Sequence, residues 1–117
     1  NEIIVKKDYI SNRIHVEDLS SIAIKFLLKN LNDRIINISD QNKVKSYDAI
    51  KFVSDKLALK QPKMIKYDSN NISNKLKSFY ETNRIINCKV IQHQLEYKYK
   101  YPDYKKALLT LTKKLIK

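Results

Sequence analysis

The stretch Arg13-Ile14-His15-Val16-Glu17-Asp18-Leu19 sets a guanidinium, an imidazole and two carboxyls close together in the chain. Such groups can hold an anionic or carbonyl-bearing substrate and move a proton. Each also has a structural use. Arg13 can pair with Glu17 or Asp18 to fix a turn, and His15 can hydrogen-bond to backbone where a strand ends. The two acids suit the start of a helix, whose dipole favours negative charge there. Asn37 and Asp40 stand at what reads as the carboxyl end of a strand, where α/β sheets bind ligands. Arg84 with Asn87 either faces a substrate or forms a cap and surface pair. No zinc-ligand pattern emerges around His93.

These residues need elements to position them. Ile3–Val5 and Ser11–His15 read as short extended pieces. From Val16 the period turns helical, with Leu19, Ile22, Ala23, Phe26 and Leu27 forming the apolar stripe. Arg34–Ile38 reads as a strand with an apolar stretch rather than strict alternation, in the manner of a parallel strand covered on both faces. Ser46 is placed to cap a helix carrying Ala49, Ile50, Val53 and Leu57, which must stop before Pro62. Beyond it, Met64–Tyr67 reads as extended, and Ile72, Leu76, Phe79 and Tyr80 as a short amphipathic helix. Arg84–Asn87 is extended, and Asn87 caps a helix carrying Val90, Ile91 and Leu95. Lys98-Tyr99-Lys100-Tyr101 alternates as a strand does, and Pro102 opens a last helix at a position where its missing N–H is not needed. This succession of short strands and helices predicts an α/β fold in a single region, residues 1–117.

Composition narrows the functional classes. The net charge is +12, but it comes from 21 Lys and only 3 Arg with no dense run. Base readout and bidentate phosphate contact lean on Arg, so this charge does not by itself imply a nucleic-acid partner. The chain has no Gly, which excludes both kinds of Gly-rich phosphate loop and leaves turns of positive φ to residues such as those of Asn30–Asp33 and Ser69–Asn71. The single cysteine, Cys88, excludes an internal disulfide and points to a reducing, cytoplasmic setting. No apolar run approaches the roughly 18 residues that span a bilayer. Asn1 reads as the start of a processed or truncated segment.

With these residues in view, the chain resembles the extended and atypical short-chain dehydrogenase/reductase superfamily, and within it the NAD-dependent epimerase/dehydratase-like proteins. Arg13–Leu19 is similar to the family's strand-to-helix His-Val-x-Asp-Leu segment. Ile36-Asn37-Ile38-Ser39-Asp40, Phe79–Asn87 and Tyr101-Pro102-Asp103-Tyr104 look like later blocks of the same half, in the same order. The resemblance covers nearly all of this chain but only the C-terminal two-fifths or so of a typical member. It implies the substrate-side part of a Rossmann-like fold, helix-rich with a few short strands, without the dinucleotide-binding half. The family's Gly-rich loop and Tyr-x-x-x-Lys pair have no counterpart. Tyr101 and Lys105 have the spacing, but Pro102 between them marks a helix start. Ser11 stands where sugar-nucleotide epimerases carry an Arg, so the atypical branch fits better.

The resemblance therefore implies a chain inactive by itself, with no catalytic, cofactor-binding or metal-ligating residue of its own. Its substrate-side candidates are Arg13, His15, Asn37, Asp40 and Arg84. NAD(P) is expected for the complete family member, and the partners implied are a separate N-terminal Rossmann half or another copy, with a small-molecule substrate. The competing readings are a degenerate stand-alone binding module and a basic nucleic-acid-binding domain.

Overall fold

A computed structural model describes residues 2–31, 35–68, 70 and 72–115. The fold is mixed α/β and helix-rich, with four short strands and five helices among the described residues: β1 (Glu2–Val5), β2 (Ile10–Ser11), α1 (Val16–Leu28), β3 (Val44–Lys45), α2 (Ser46–Lys56), β4 (Lys63–Lys66), α3 (Asn74–Glu81), α4 (Lys89–His93) and α5 (Tyr104–Leu115). β1 and β4 pair in parallel with Ile4 opposite Ile65, and β2 pairs antiparallel with β3. No helix among these residues is long and apolar enough to cross a membrane.

α1 starts where its sequence says it should. His15 adopts extended backbone as N-cap, and its Nδ1 accepts the Glu17 N–H at 3.2 Å, filling one of the vacancies that every helix start leaves. Its apolar residues serve two directions, however, which a single stripe does not capture. Ile22 is fully buried and Phe26 packs beside it, whereas Leu19 and Leu27 from the same expected stripe face outward. Ile22 meets Ile91 of α4, Leu95 and Tyr99 to form the core.

The segment expected as the last strand of a parallel sheet is not in a ladder. Arg34 lies outside the described residues, and Ile35–Asp40 is irregular. Ile36 and Ile38 pack on the core while Ile35 is 87% exposed, so one face is covered and the other is bare. A strand needs neighbours to take up its backbone groups, and the described residues supply only one ladder-like bond here, from the Asp40 N–H to the Arg13 carbonyl at 2.5 Å. Lys98–Tyr101 likewise forms no ladder, although its alternation is real: Tyr97, Tyr99 and Tyr101 turn inward and Lys98 and Lys100 outward.

Three expected caps move. Ser46 is the first residue of α2, Lys45 is the N-cap, and no side chain caps that helix. Cys88, not Asn87, is the N-cap of α4, although Asn87 Oδ1 does accept the Lys89 N–H at 3.0 Å. α5 begins two residues after Pro102, and Asp103 does the capping by accepting the Lys106 N–H at 2.9 Å.

Without Gly, positive φ falls on Asp8 (63°), Ala58 (50°) and Glu96 (50°). Of the positions expected to supply such turns, Asn32, Asp33, Ser69 and Asn71 lie outside the described residues. Ala58 closes α2 with the paired bonds of a Schellman turn, Ala58 N–H to the Asp55 carbonyl and Leu59 N–H to the Ser54 carbonyl. An L-residue with a Cβ is strained there by roughly 1–2 kcal/mol. Ala58→Gly is therefore expected to stabilise the fold by about 1 kcal/mol in urea titration, and a loss of stability would contradict the strained cap.

Candidate functional site

At the mouth of α1 three distant segments converge on one polar cluster. Asp18, read from sequence as a helix-start acid, is completely buried and accepts three hydrogen bonds. Its Oδ1 takes the Tyr97 hydroxyl at 2.7 Å and the Lys100 N–H at 2.9 Å, and its Oδ2 takes the Tyr101 N–H at 2.9 Å. The carboxylate thus holds an irregular segment in place by supplying the acceptors that a neighbouring strand would otherwise provide. Glu17, beside it, receives Lys100 Nζ at 2.5 Å and the Tyr101 hydroxyl at 3.3 Å. The Lys100 hydrogen bond holds the Glu17 carboxyl below the usual carboxylate range, and Glu17 in turn raises Lys100.

His15 is buried, and Tyr101 stacks on its ring with centroids 3.8 Å apart and planes 29° apart. Because Nδ1 accepts a backbone N–H, the proton of neutral His15 sits on Nε2. That Nε2 and Arg13 Nη1 are both buried, and neither has a hydrogen-bond partner among the described residues. Two orphaned donors two residues apart are costly to leave unmet and invite an oxygen acceptor. Burial pushes the Arg13 guanidinium below its usual value, with Asp40 and Tyr104 pulling it back up.

Asp40 is also buried, and burial raises its carboxyl, opposed by the Asn42 N–H at 3.0 Å and by the Arg13 charge. The folded-state value lies above the unfolded one because burial disfavours the charged form of the carboxyl relative to water. Its contribution to stability is fully present below the unfolded aspartate value of about 3.9 and is lost as pH rises through the folded value. Asp40→Asn keeps an acceptor for Asn42 and removes the titration. It is expected to melt higher than the natural chain at pH 7, with the advantage disappearing in acid. A melting difference independent of pH would remove this assignment.

Of the five candidates named from the sequence, then, Arg13, His15 and Asp40 come together. Asn37 and Arg84 are exposed. The Arg84 carbonyl accepts Asn12 Nδ2 at 2.7 Å, which makes the residue part of a backbone clamp. Tyr97, Tyr99 and Tyr101 complete the site; Tyr97 and Tyr99 were visible in sequence only beside an alternation, whereas Tyr101 also opens the block Tyr101–Tyr104. The Tyr99 hydroxyl donates to the Ser39 carbonyl at 2.9 Å, and burial pushes it up to about 12.

A cavity of about 710 Å³ opens elsewhere, at the carboxyl ends of both β1 and β4 and the start of α2. Val5, Lys6, Tyr9, Lys45, Tyr47 and Tyr67 are among its lining residues. Lys45 is paired with Asp8 at 3.0 Å, and Lys6 donates to the Tyr80 carbonyl at 2.5 Å while lying over the Tyr67 ring. The space for a ligand and the orphaned donors are thus in different places. The cavity sits where parallel strands generally present ligands, and no residue of the polar cluster lines it.

No family model matches the chain, and no curated protein matches it. A solved structure does. It is a functionally unknown conserved protein from Silicibacter pomeroyi DSS, 24% identical, with a TM-score of 0.89. The likeness covers 97% of this chain and 40% of that one, so the fold recurs there as less than half of a longer chain. At this identity the likeness establishes the fold.

Proposed function

We propose that this chain is the substrate-side portion of an NAD(P)-dependent epimerase/dehydratase-like oxidoreductase, with a Rossmann-like partner half supplying the dinucleotide site and the chemistry. What carries the reading is a convergence in space. The blocks that resemble the family at Arg13–Leu19, Ile36–Asp40 and Tyr101–Tyr104 are far apart in sequence, yet Asp18 holds Tyr101, Tyr101 stacks on His15, and Asp40 bonds to Arg13. The recurrence of the fold within a longer chain supports it as well.

The residues present do not fit the dinucleotide. The turn after β1 is Lys6-Lys7-Asp8, and side chains there would fill the space that a pyrophosphate needs against bare backbone. NAD(P) therefore belongs to the other half. This chain's share is to wall the substrate recess, with the cavity beyond β1 and β4 receiving a small molecule.

The test is the coding DNA upstream of Asn1, in the same frame or a neighbouring one. A Gly-rich βαβ segment followed by a Tyr-x-x-x-Lys pair is expected. The whole product should then enhance NADH fluorescence while the 117-residue chain does not. An unrelated upstream sequence, or a whole product that binds neither NADH nor NADPH, would overturn the proposal.

A further inference from the structure

We infer that the outer face of α1 is the docking surface for that second folded half, which covers it with an uncharged apolar layer; the inference rests on the reading just proposed and adds the surface by which the two parts hold together. Every charged residue of α1 is engaged away from this face. Glu17 holds Lys100, Asp18 is buried, and Lys25 reaches the Leu95 carbonyl at 3.4 Å. Lys29, just past the helix, reaches the Gln94 carbonyl. What remains exposed on the outer side is Val16, Leu19, Ile24, Leu27 and Leu28, with Leu27 and Leu28 each 82% exposed, together with Ser20 and Ser21, whose hydroxyls donate to the Val16 and Glu17 carbonyls of the helix itself. A helix apolar on both sides is one that expects cover on both sides.

Ile22 and Phe26 fill the inner side, so a second body must fill the outer one. The neighbouring segment makes the same demand. Ile35 is bare while Ile36 and Ile38 are packed, and Ile35–Asp40 is in no ladder among the described residues, so a strand of the partner alongside it would take up both its apolar side and its backbone groups.

The occupant is the second half rather than another copy of this chain. Two copies would bring a net charge of +12 against +12, and in the Silicibacter pomeroyi protein this same fold makes up only 40% of the chain, so there it sits beside a larger remainder.

Carbene footprinting tests this on the 117-residue chain and on the whole product of the upstream and present coding regions. In the chain by itself Ile24, Leu27 and Leu28 should label strongly. In the whole product their labelling should fall about fivefold, because a packed interface core excludes reagent, while Met64 and Phe79 keep theirs. Leu27→Asp, at an exposed position, should leave the melting of the isolated chain unchanged and weaken association of separately expressed halves about tenfold or more. If NADH binds the whole product but α1 labelling is unchanged, the docking surface is wrong and the functional reading stands. If light scattering shows the chain dimerising through α1, dissociated by Leu27→Asp, the occupant is a second copy and the inference fails. If the upstream product neither binds NADH nor associates, the functional reading fails and takes the docking surface with it.

Discussion

Asp18→Ala is expected to cost roughly 3–5 kcal/mol and to bring the chain close to unfolding at room temperature. The carboxylate is fully buried and is the acceptor for the Tyr97 hydroxyl and for two consecutive backbone N–H groups, Lys100 and Tyr101. Its removal leaves three donors unmet, the Tyr101 N–H buried and the Tyr97 hydroxyl and Lys100 N–H half-buried, at about 1–3 kcal/mol for the buried one and less for the two that water can reach. A domain of this size has only about 5–15 kcal/mol in total. Asp18→Asn is the sharper variant. It keeps the volume but turns an NH₂ toward a donor, so it should cost about 2 kcal/mol and loosen Tyr97–Tyr101 without collapsing the core. Urea unfolding followed by tyrosine fluorescence gives both values. If Asp18→Ala loses less than about 1 kcal/mol, the acid is an ordinary helix-start residue and the clamp is not what orders the segment.

Leu95→Ala should be the second most damaging change, at about 3 kcal/mol. Leu95 lies just past α4 and is almost wholly buried with Ile22, Ile91 and Tyr99, so truncation leaves a cavity on which a helix, a turn and the tyrosine segment all rely. Phe79→Ala, at an exposed position, should stay within about 0.5 kcal/mol. Equal costs at the two positions would show that the Ile22–Ile91–Leu95 cluster is not the centre of the fold. The comparison also separates core packing from the Asp18 clamp, because Leu95→Ala should leave the hydrogen bonds to Asp18 in place.

Local rules in the sequence were enough for the start of α1. A capping residue in extended backbone, acids in the first turn and an apolar period starting at Val16 are short-range features, and the helix begins there. The stop of α2 ahead of Pro62 and the β-branched run of β1 have the same local origin. The resemblance blocks also drew attention to Arg13, His15 and Asp40, which the fold gathers.

Tertiary structure decided the rest, for reasons that spacing cannot carry. Asp18 and Glu17 are neighbours of the same type, yet one is buried and the other faces outward to Lys100. The difference is made by Lys100 and Tyr101, more than eighty residues away. Asn37 and Asp40 share a segment, but only Asp40 turns in, because Ile36 and Ile38 claim the packed side. Arg34–Ile38 has the composition of a central strand, and composition cannot say whether neighbouring strands are present to make it one. Burial and pairing belong to contacts between distant parts of the chain, which spacing within one segment does not encode.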